Sequence, residues 1–191
     1  MSFAPWRASL AGALHRNRTH PYARYFQLAT VRPDGTPANR TVVFRGFKGD
    51  THILKIITDR RSEKIGHLAQ SPWAEACWYF TKTREQFRLT GKLSCLDAAN
   101  PDQKPCRLSA WQSISDGARS QFYWPQPGQP RTDQSAFDAS AIDPNAPPDS
   151  FCLLLLTPIR VDHLKLRGTP QNRYCYQQAD DGGWSAVEIN P

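Results

Sequence analysis

The chain has 191 residues, 39% of them hydrophobic, with a formal net charge of +7, a pI near 9.4 and a mean hydropathy of −0.60. That length can bury a real core, and no apolar run approaches the roughly 20 residues of a membrane-spanning helix. The start, Met1 to Arg7, lacks the long apolar core of a signal peptide, so a cytoplasmic protein with no membrane partner is expected.

Trp6, Leu10, Ala13 and Leu14 recur at helical spacing behind Pro5, which suits a first turn, so residues 1–20 are expected to hold an N-terminal helix. Tyr25–Arg32 reads as a strand ending at the turn Pro33-Asp34-Gly35, and Ala38–Phe47 reads as its hairpin partner. Lys48-Gly49-Asp50 turns the chain into a third strand, His52–Thr58. Three strands in immediate succession predict an antiparallel meander. Ser62 then caps a short helix whose apolar stripe is Ile65, Leu68 and Ala69, stopped near Pro72. Ala74–Phe80 and Glu85–Leu96 read as a second long hairpin, and Asn100–Ser120 as a further helical region.

Residues 125–150 are rich in Pro, Gly, Gln, Asp and Ser and are expected to form a long loop or insertion, of the kind that serves as a lid or arm. Phe151–Leu166, Arg173–Gln178 and Trp184–Ile189 finish the chain as strands. The strands come in hairpins and do not alternate with helices, which argues against a doubly wound parallel sheet. The expected fold is mainly β: an antiparallel split β-barrel with a few peripheral helices, spanning 1–191 as a single domain.

The five cysteines (77, 95, 106, 152 and 175) show no C-x-x-C pair, and the five histidines show neither H-E-x-x-H nor H-x-H spacing. Reduced thiols are expected, and no metal site is visible. The basic excess invites a nucleic-acid reading, but the cations are spread along the chain without a polybasic tail, and an anionic small ligand accounts for part of the excess equally well. Classical phosphate loops, G-x-G-x-x-G and G-x-x-x-x-G-K-[ST], are absent. Any phosphate must therefore be held by side chains and a helix N-terminus.

One segment offers such a site. Along Arg40-Thr-Val-Val-Phe-Arg45, alternation puts Arg40, Val42 and Phe44 on one strand face and Thr41, Val43 and Arg45 on the other. Ser62 and Lys64 lie in the first turn of the following helix, where free N–H groups and the helix dipole already favour an anion. A guanidinium, an ammonium and a hydroxyl converging there would make a phosphate cradle. The plainer alternative, a solvated helix start with Ser62 as its cap, is equally compatible with the spacing. Gln86 in mid-strand, the Gln112-Ser113 pair, and Arg173 before Tyr174 and Tyr176 each have an ordinary structural reading when taken singly.

Taken together, these segments resemble the pyridoxamine 5′-phosphate oxidase-like FMN-binding split-barrel family, in the branch found in cyanobacteria and plants. Its signature stands here as Ser115-Asp116-Gly-Ala-Arg119-Ser-Gln121-Phe122-Tyr-Trp124-Pro125-Gln-Pro127-Gly128. The resemblance runs from about Tyr25 to the C-terminus. It implies FMN as cofactor and a homodimer with flavin at the interface. By position, the flavin contacts it implies are Arg40, Val42, Val43, Phe44, Arg45, Ile57, Thr58, Ser62, Lys64, Gln86, Gln112, Ser113 and Arg173. The Gln112-Ser113 pair would come from the neighbouring subunit.

The chain departs from the family at several points. Glu63 replaces the arginine of the family's Ser-Arg-Lys element, leaving Arg60 or Arg61 to compensate, and Val161–Leu166 lacks the tryptophan beside the flavin. The family's Arg-x-His-x-Arg run reads Thr169-Pro-Gln171-Asn-Arg173, and the substrate-phosphate set has no clear match, Asn100–Leu108 offering Arg107 and little else. The implied activity is an FMN-dependent oxidoreductase acting on a small molecule, with vitamin B6 oxidation in doubt. The alternatives are a flavin-binding carrier or sensor and, more distantly, a basic barrel that binds nucleic acid or another anion.

Overall fold

The structure is a computed structural model and describes residues 3–99, 102, 104–138 and 142–191. Among these are eight strands: β1 (Tyr25–Val31), β2 (Pro37–Phe47), β3 (Leu54–Asp59), β4 (Trp73–Phe80), β5 (Glu85–Leu96), β6 (Phe151–Lys165), β7 (Asn172–Gln178) and β8 (Trp184–Ile189). Four α-helices accompany them: α1 (Pro5–Arg16), α2 (Glu63–Gln70), α3 (Lys104–Gln112) and α4 (Asp116–Ser120). The sheet order is β3-β2-β1-β4-β5-β6-β7-β8, and a further pairing of β3 with β6 closes the first six strands into an antiparallel barrel. The expected split barrel is thus the observed fold, with β7 and β8 extending outward from β6.

Local sequence explains why these strands form a barrel wall. In β5, Glu85, Phe87, Leu89, Gly91 and Leu93 are buried while Gln86, Arg88 and Thr90 are half-buried, the two-residue period of a strand with one face inward. β6 breaks that alternation, since Phe151–Leu156 is buried throughout. Its two faces serve different cores. Leu154 and Leu156 join Phe26, Leu28, Trp78 and Phe87 inside the barrel, where Trp6 and Leu10 of α1 also pack. Phe151, Leu153 and Leu155 join Trp111, Ile114 and Phe122 under α3. A strand covered on both faces has no polar side to alternate with. At Gly91, beside a register shift against β6, an added Cβ would stand 2.1 Å from the Thr157 carbonyl oxygen, so the close approach of the two strands excludes a side chain there.

Two expectations need correction. The helical region Asn100–Ser120 is two helices, broken at residues 113–115 where Ser115 caps α4 by accepting from the Ala118 N–H; its expected start at Asn100 and Pro101 lies outside the described residues. The 125–150 segment is a loop, but its described part is tied to the body and is no free lid. Arg107 donates to the carbonyls of Phe151, Pro147 and Pro148, the Trp111 indole donates to Asp143 O at 2.9 Å, and Arg61 donates to Trp124 O at 2.9 Å. The five cysteines are free thiols, and among the described residues no helix is long and apolar enough to cross a membrane.

Candidate functional site

Arg40 lies in mid-β2, opposite Leu28 of β1, on the strand face that looks inward. Its side chain reaches Glu63 in the first turn of α2. Its guanidinium donates to Leu28 O (3.1 Å), Ala38 O (3.0 Å) and Thr30 Oγ1 (2.7 Å), and reaches Glu63 Oε1 at 3.3 Å. Thr30 is buried and its hydroxyl also bonds His67 Nδ1 at 2.9 Å, so a Thr30–His67 pair backs the arginine.

Beside it, Lys64 Nζ donates to Thr58 Oγ1 and Ser62 Oγ, both at 2.8 Å. Ser62 occupies the N-cap position of α2 but makes no cap hydrogen bond, donating instead to Asp59 O at 2.7 Å. Burial pushes the Lys64 ammonium below the usual lysine range, and the Arg40 charge pushes it the same way, against the opposing pull of Asp59 and Glu63. Two cations repelling each other across a floor of hydroxyls is an arrangement that an inserted dianion would stabilise.

Arg60 and Arg61, the expected substitutes for the missing arginine, are committed elsewhere. Arg61 makes a forked pair with Asp59, closest at 2.6 Å, and Arg60 pairs with Asp97 at 3.1 Å. Arg107 likewise is buried on carbonyl oxygens and holds no site open. Glu63, standing where the family has a cation, places a carboxylate against Arg40.

A second group of candidates lines a cleft of about 690 Å³ between α1 and β2. Val43, Phe44, Arg45 and Ser113 border it, with His20 and Arg24. The Arg45 Nε is buried without a hydrogen-bond partner. Burial, and then the Arg24 charge, hold its guanidinium below the usual arginine range. An orphaned, desolvated donor on a cleft wall fits an anionic or acceptor-bearing ligand. Phe44 is mainly a core residue, edge-on to Trp78 and Phe47, and Val42 packs against the same core. Ile57 packs against the core under α3. Ser113 of this same chain borders the cleft, donating to Ala110 O at 2.7 Å, whereas Gln112 is exposed and bonds Asn145 Oδ1 at 2.9 Å.

Gln86 and Arg173 form a third group. The register Gln86↔Leu164↔Arg173 puts them on the outer face of β5–β7, away from the cradle. Arg173 donates to Asp162 at 2.7 Å and 3.1 Å, and Arg88 donates to the same carboxylate at 2.8 Å. Burial would raise the Asp162 carboxyl, but hydrogen bonds from Arg173 and Arg88 outweigh it and hold the group below the usual range. The single chain therefore gathers its candidates in three places, not one.

Several positioning residues escaped sequence reasoning: Thr30 and His67 behind Arg40, Asp162 behind Arg173, and Arg119. Arg119 donates to Trp111 O (3.2 Å), Gln112 O (3.0 Å) and Asp116 Oδ1 (2.6 Å), which fixes the end of α3 where Gln112 and Ser113 stand. The signature Ser115–Arg119 thus has a structural role that its match alone did not reveal.

Comparison with known proteins agrees with this architecture. Residues 3–97 match the family described as pyridoxamine 5'-phosphate oxidase, FMN-binding domain. Pyridoxine/pyridoxamine 5'-phosphate oxidase 2 of Arabidopsis thaliana is 40% identical over 98% of both chains. A pyridoxamine 5'-phosphate oxidase-related, FMN binding protein of Nostoc punctiforme is 56% identical, covers 100% of both chains and superposes with a TM-score of 0.97. PhzG of Burkholderia lata, at 16% identity and a TM-score of 0.79 over 100% of this chain and 98% of its own, shares the fold. The chain belongs to the pyridoxamine 5'-phosphate oxidase FMN-binding family.

Proposed function

We propose that the protein binds FMN and works as a flavin-dependent oxidoreductase, as a homodimer, on a small molecule. The observation that carries the reading is the gathering of Arg40, Lys64, Thr58 and Ser62 at the start of α2, where Lys64 donates to both hydroxyls. In this reading those four side chains hold the phosphate, with charge-assisted hydrogen bonds in a partly desolvated place. Val43 and Phe44, at the neighbouring cleft, would face the ring system, while Val42 and Ile57 pack behind in the two cores. Gln86 offers an amide to the ring, while Arg45 and Arg173 supply positive charge. Gln112 and Ser113 complete the enclosure. The flavin supplies the two-electron chemistry when bound, and the protein orients it and excludes water.

The separation of the groups supports the dimer. β2 and β5 are three places apart in the sheet order, and each step is about 4.8 Å, so Gln86 is out of reach of the cradle in its own chain. A second copy presenting its β5–β7 face would bring both halves together. The relatives' descriptions as FMN-binding or as 5'-phosphate oxidases support the cofactor.

A visible absorption spectrum of the purified protein, before and after adding FMN, with gel filtration alongside, tests the reading. A bound-flavin spectrum on a dimer is expected; a colourless protein that ignores FMN would overturn it. A second reading, flavin binding without turnover, is favoured by Thr169 and Gln171, neutral residues where the family's substrate run has arginine and histidine. Anaerobic addition of pyridoxamine phosphate and simple amines separates the two: bleaching of the flavin signals turnover.

A further inference from the structure

At the barrel end beside the C-terminus of α1 lies another cleft, of about 760 Å³, that none of the flavin candidates borders. The turn between β4 and β5 supplies Lys82 and Thr83, the end of β6 supplies Lys165 and Arg167, and the end of α1 supplies Arg16 and Arg18. We propose that this cleft is a second anion site, built for a small, multiply charged phosphate compound of which a diphosphate is the simplest representative.

Charge carries the inference. Five lysines and arginines face the cleft against one carboxylate, Glu85, and that carboxylate is already engaged. It accepts from Arg16 at 2.7 Å and pairs with the buried His163 at 3.0 Å. Arg18, Lys82, Lys165 and Arg167 make no ion pair with a carboxylate among the described residues.

The cleft walls and several of the cations are also held in place. Arg167 donates to the Lys82 carbonyl at 2.7 Å, tying the β6–β7 turn to the β4–β5 turn. The Lys165 ammonium stands 5.0 Å from the Tyr174 ring centroid, and Arg18 donates to the His15 carbonyl at 2.9 Å. Buried Asn17 links α1 to the β4–β5 turn, donating to Thr83 Oγ1 at 3.1 Å and accepting from the Lys82 N–H at 3.1 Å. Like charges fixed close together repel, and a polyanion turns that repulsion into binding. Guanidinium forks and ammonium groups together suit phosphate oxygens. The cleft has ordinary ligand size and draws its cations from three separate elements, which favours a small anion over a nucleic-acid strand.

The test is isothermal titration of the full-length protein with inorganic pyrophosphate, at low salt and again at raised salt. The comparison uses a Lys165→Gln/Arg167→Gln variant and an Arg60→Gln control, Arg60 being an exposed cation far in sequence from the cleft and paired with Asp97. The expected result is salt-sensitive binding to the native chain, at least about tenfold weaker in the double variant and unchanged in the control. FMN affinity in the double variant should stay within about twofold of the native value, a readout independent of whether flavin is turned over. Absence of pyrophosphate binding, equal weakening in Arg60→Gln, or tighter binding of a single-stranded oligonucleotide than of pyrophosphate would overturn the proposal. Loss of FMN affinity in the double variant would overturn the separation of the two sites.

Discussion

The outer face of β5–β7 and the barrel end around α2 each gather basic side chains, yet they are built on opposite principles. On the outer face Arg88 and Arg173 converge on one buried carboxylate, Asp162, and their strand positions are accounted for by that network. Around α2 the basic groups meet hydroxyls and main-chain carbonyls, and one exposed carboxylate, Glu63, touches the edge of Arg40. Arg45, farther along β2 from Arg40, keeps an Nε with no hydrogen-bond partner. Arg88 and Arg173 already have their counter-charge, whereas Arg40 and Lys64 sit mainly among neutral acceptors, the setting that the proposed phosphate would complete. The two kinds of arginine are identical in the sequence and separated only by what faces them.

The comparison breaks most easily at Asp162. Asp162→Asn should leave two guanidinium groups short of their carboxylate and cost about 2–4 kcal/mol of stability, read from urea unfolding. If stability is unchanged, the network is decorative and the contrast fails. Next, Arg40→Ala and Lys64→Ala should each weaken FMN binding by about 1–3 kcal/mol, measured by fluorescence titration, since each removes a charged partner of the phosphate. Unchanged affinity in both would remove the cradle.

A pH effect sharpens the same contrast on the framework side. Burial would raise the Glu85 carboxyl, but hydrogen bonds from His163, Arg16 and Thr83 outweigh it and bring it from 4.5 down to about 2. Because the folded value is depressed, its contribution is complete above about pH 4.5 and is lost as pH falls toward 2. Glu85→Gln should therefore flatten the acid limb of the stability profile in that window, as followed by circular dichroism. The smallest effect belongs to Arg45. With no ion pair to lose, Arg45→Gln should change unfolding stability by less than about 0.5 kcal/mol. A large loss would mean that Arg45 is framework after all.

What could be read from the chain follows the physics of each feature. The hairpins were legible because Pro33-Asp34-Gly35 and Lys48-Gly49-Asp50 announce their turns, and β5 keeps its alternation from Glu85 to Ser94. The contact of Lys64 with Thr58 and Ser62 lies within six positions of the chain, close enough to suggest from spacing, but that spacing left a cradle and a solvated helix start equally open. The break inside Asn100–Ser120 was hidden: Trp111, Ile114 and Ala118 keep helical spacing straight through it, and both sides pack on one core. The duties of Arg61, Arg107 and Arg119 were hidden for a different reason. Each donates to main-chain carbonyls, and carbonyls carry no residue identity. Glu63 was visible as a departure, but its contact with Arg40 spans 23 positions and required the fold.

The seam between β3 and β6 divides the sheet into two kinetic classes. Every strand of the six-membered ring has hydrogen-bonded neighbours on both sides, so its amides reach solvent only when the ring itself opens. β8 lies beyond the seam with one partner, and Val187 and Ile189 are 56% and 36% exposed along it. Deuterium should enter the β7–β8 hairpin long before it enters β3, although both belong to the same eight-stranded sheet. If a second copy packs on that hairpin, its exchange will slow with protein concentration while the ring keeps its own clock.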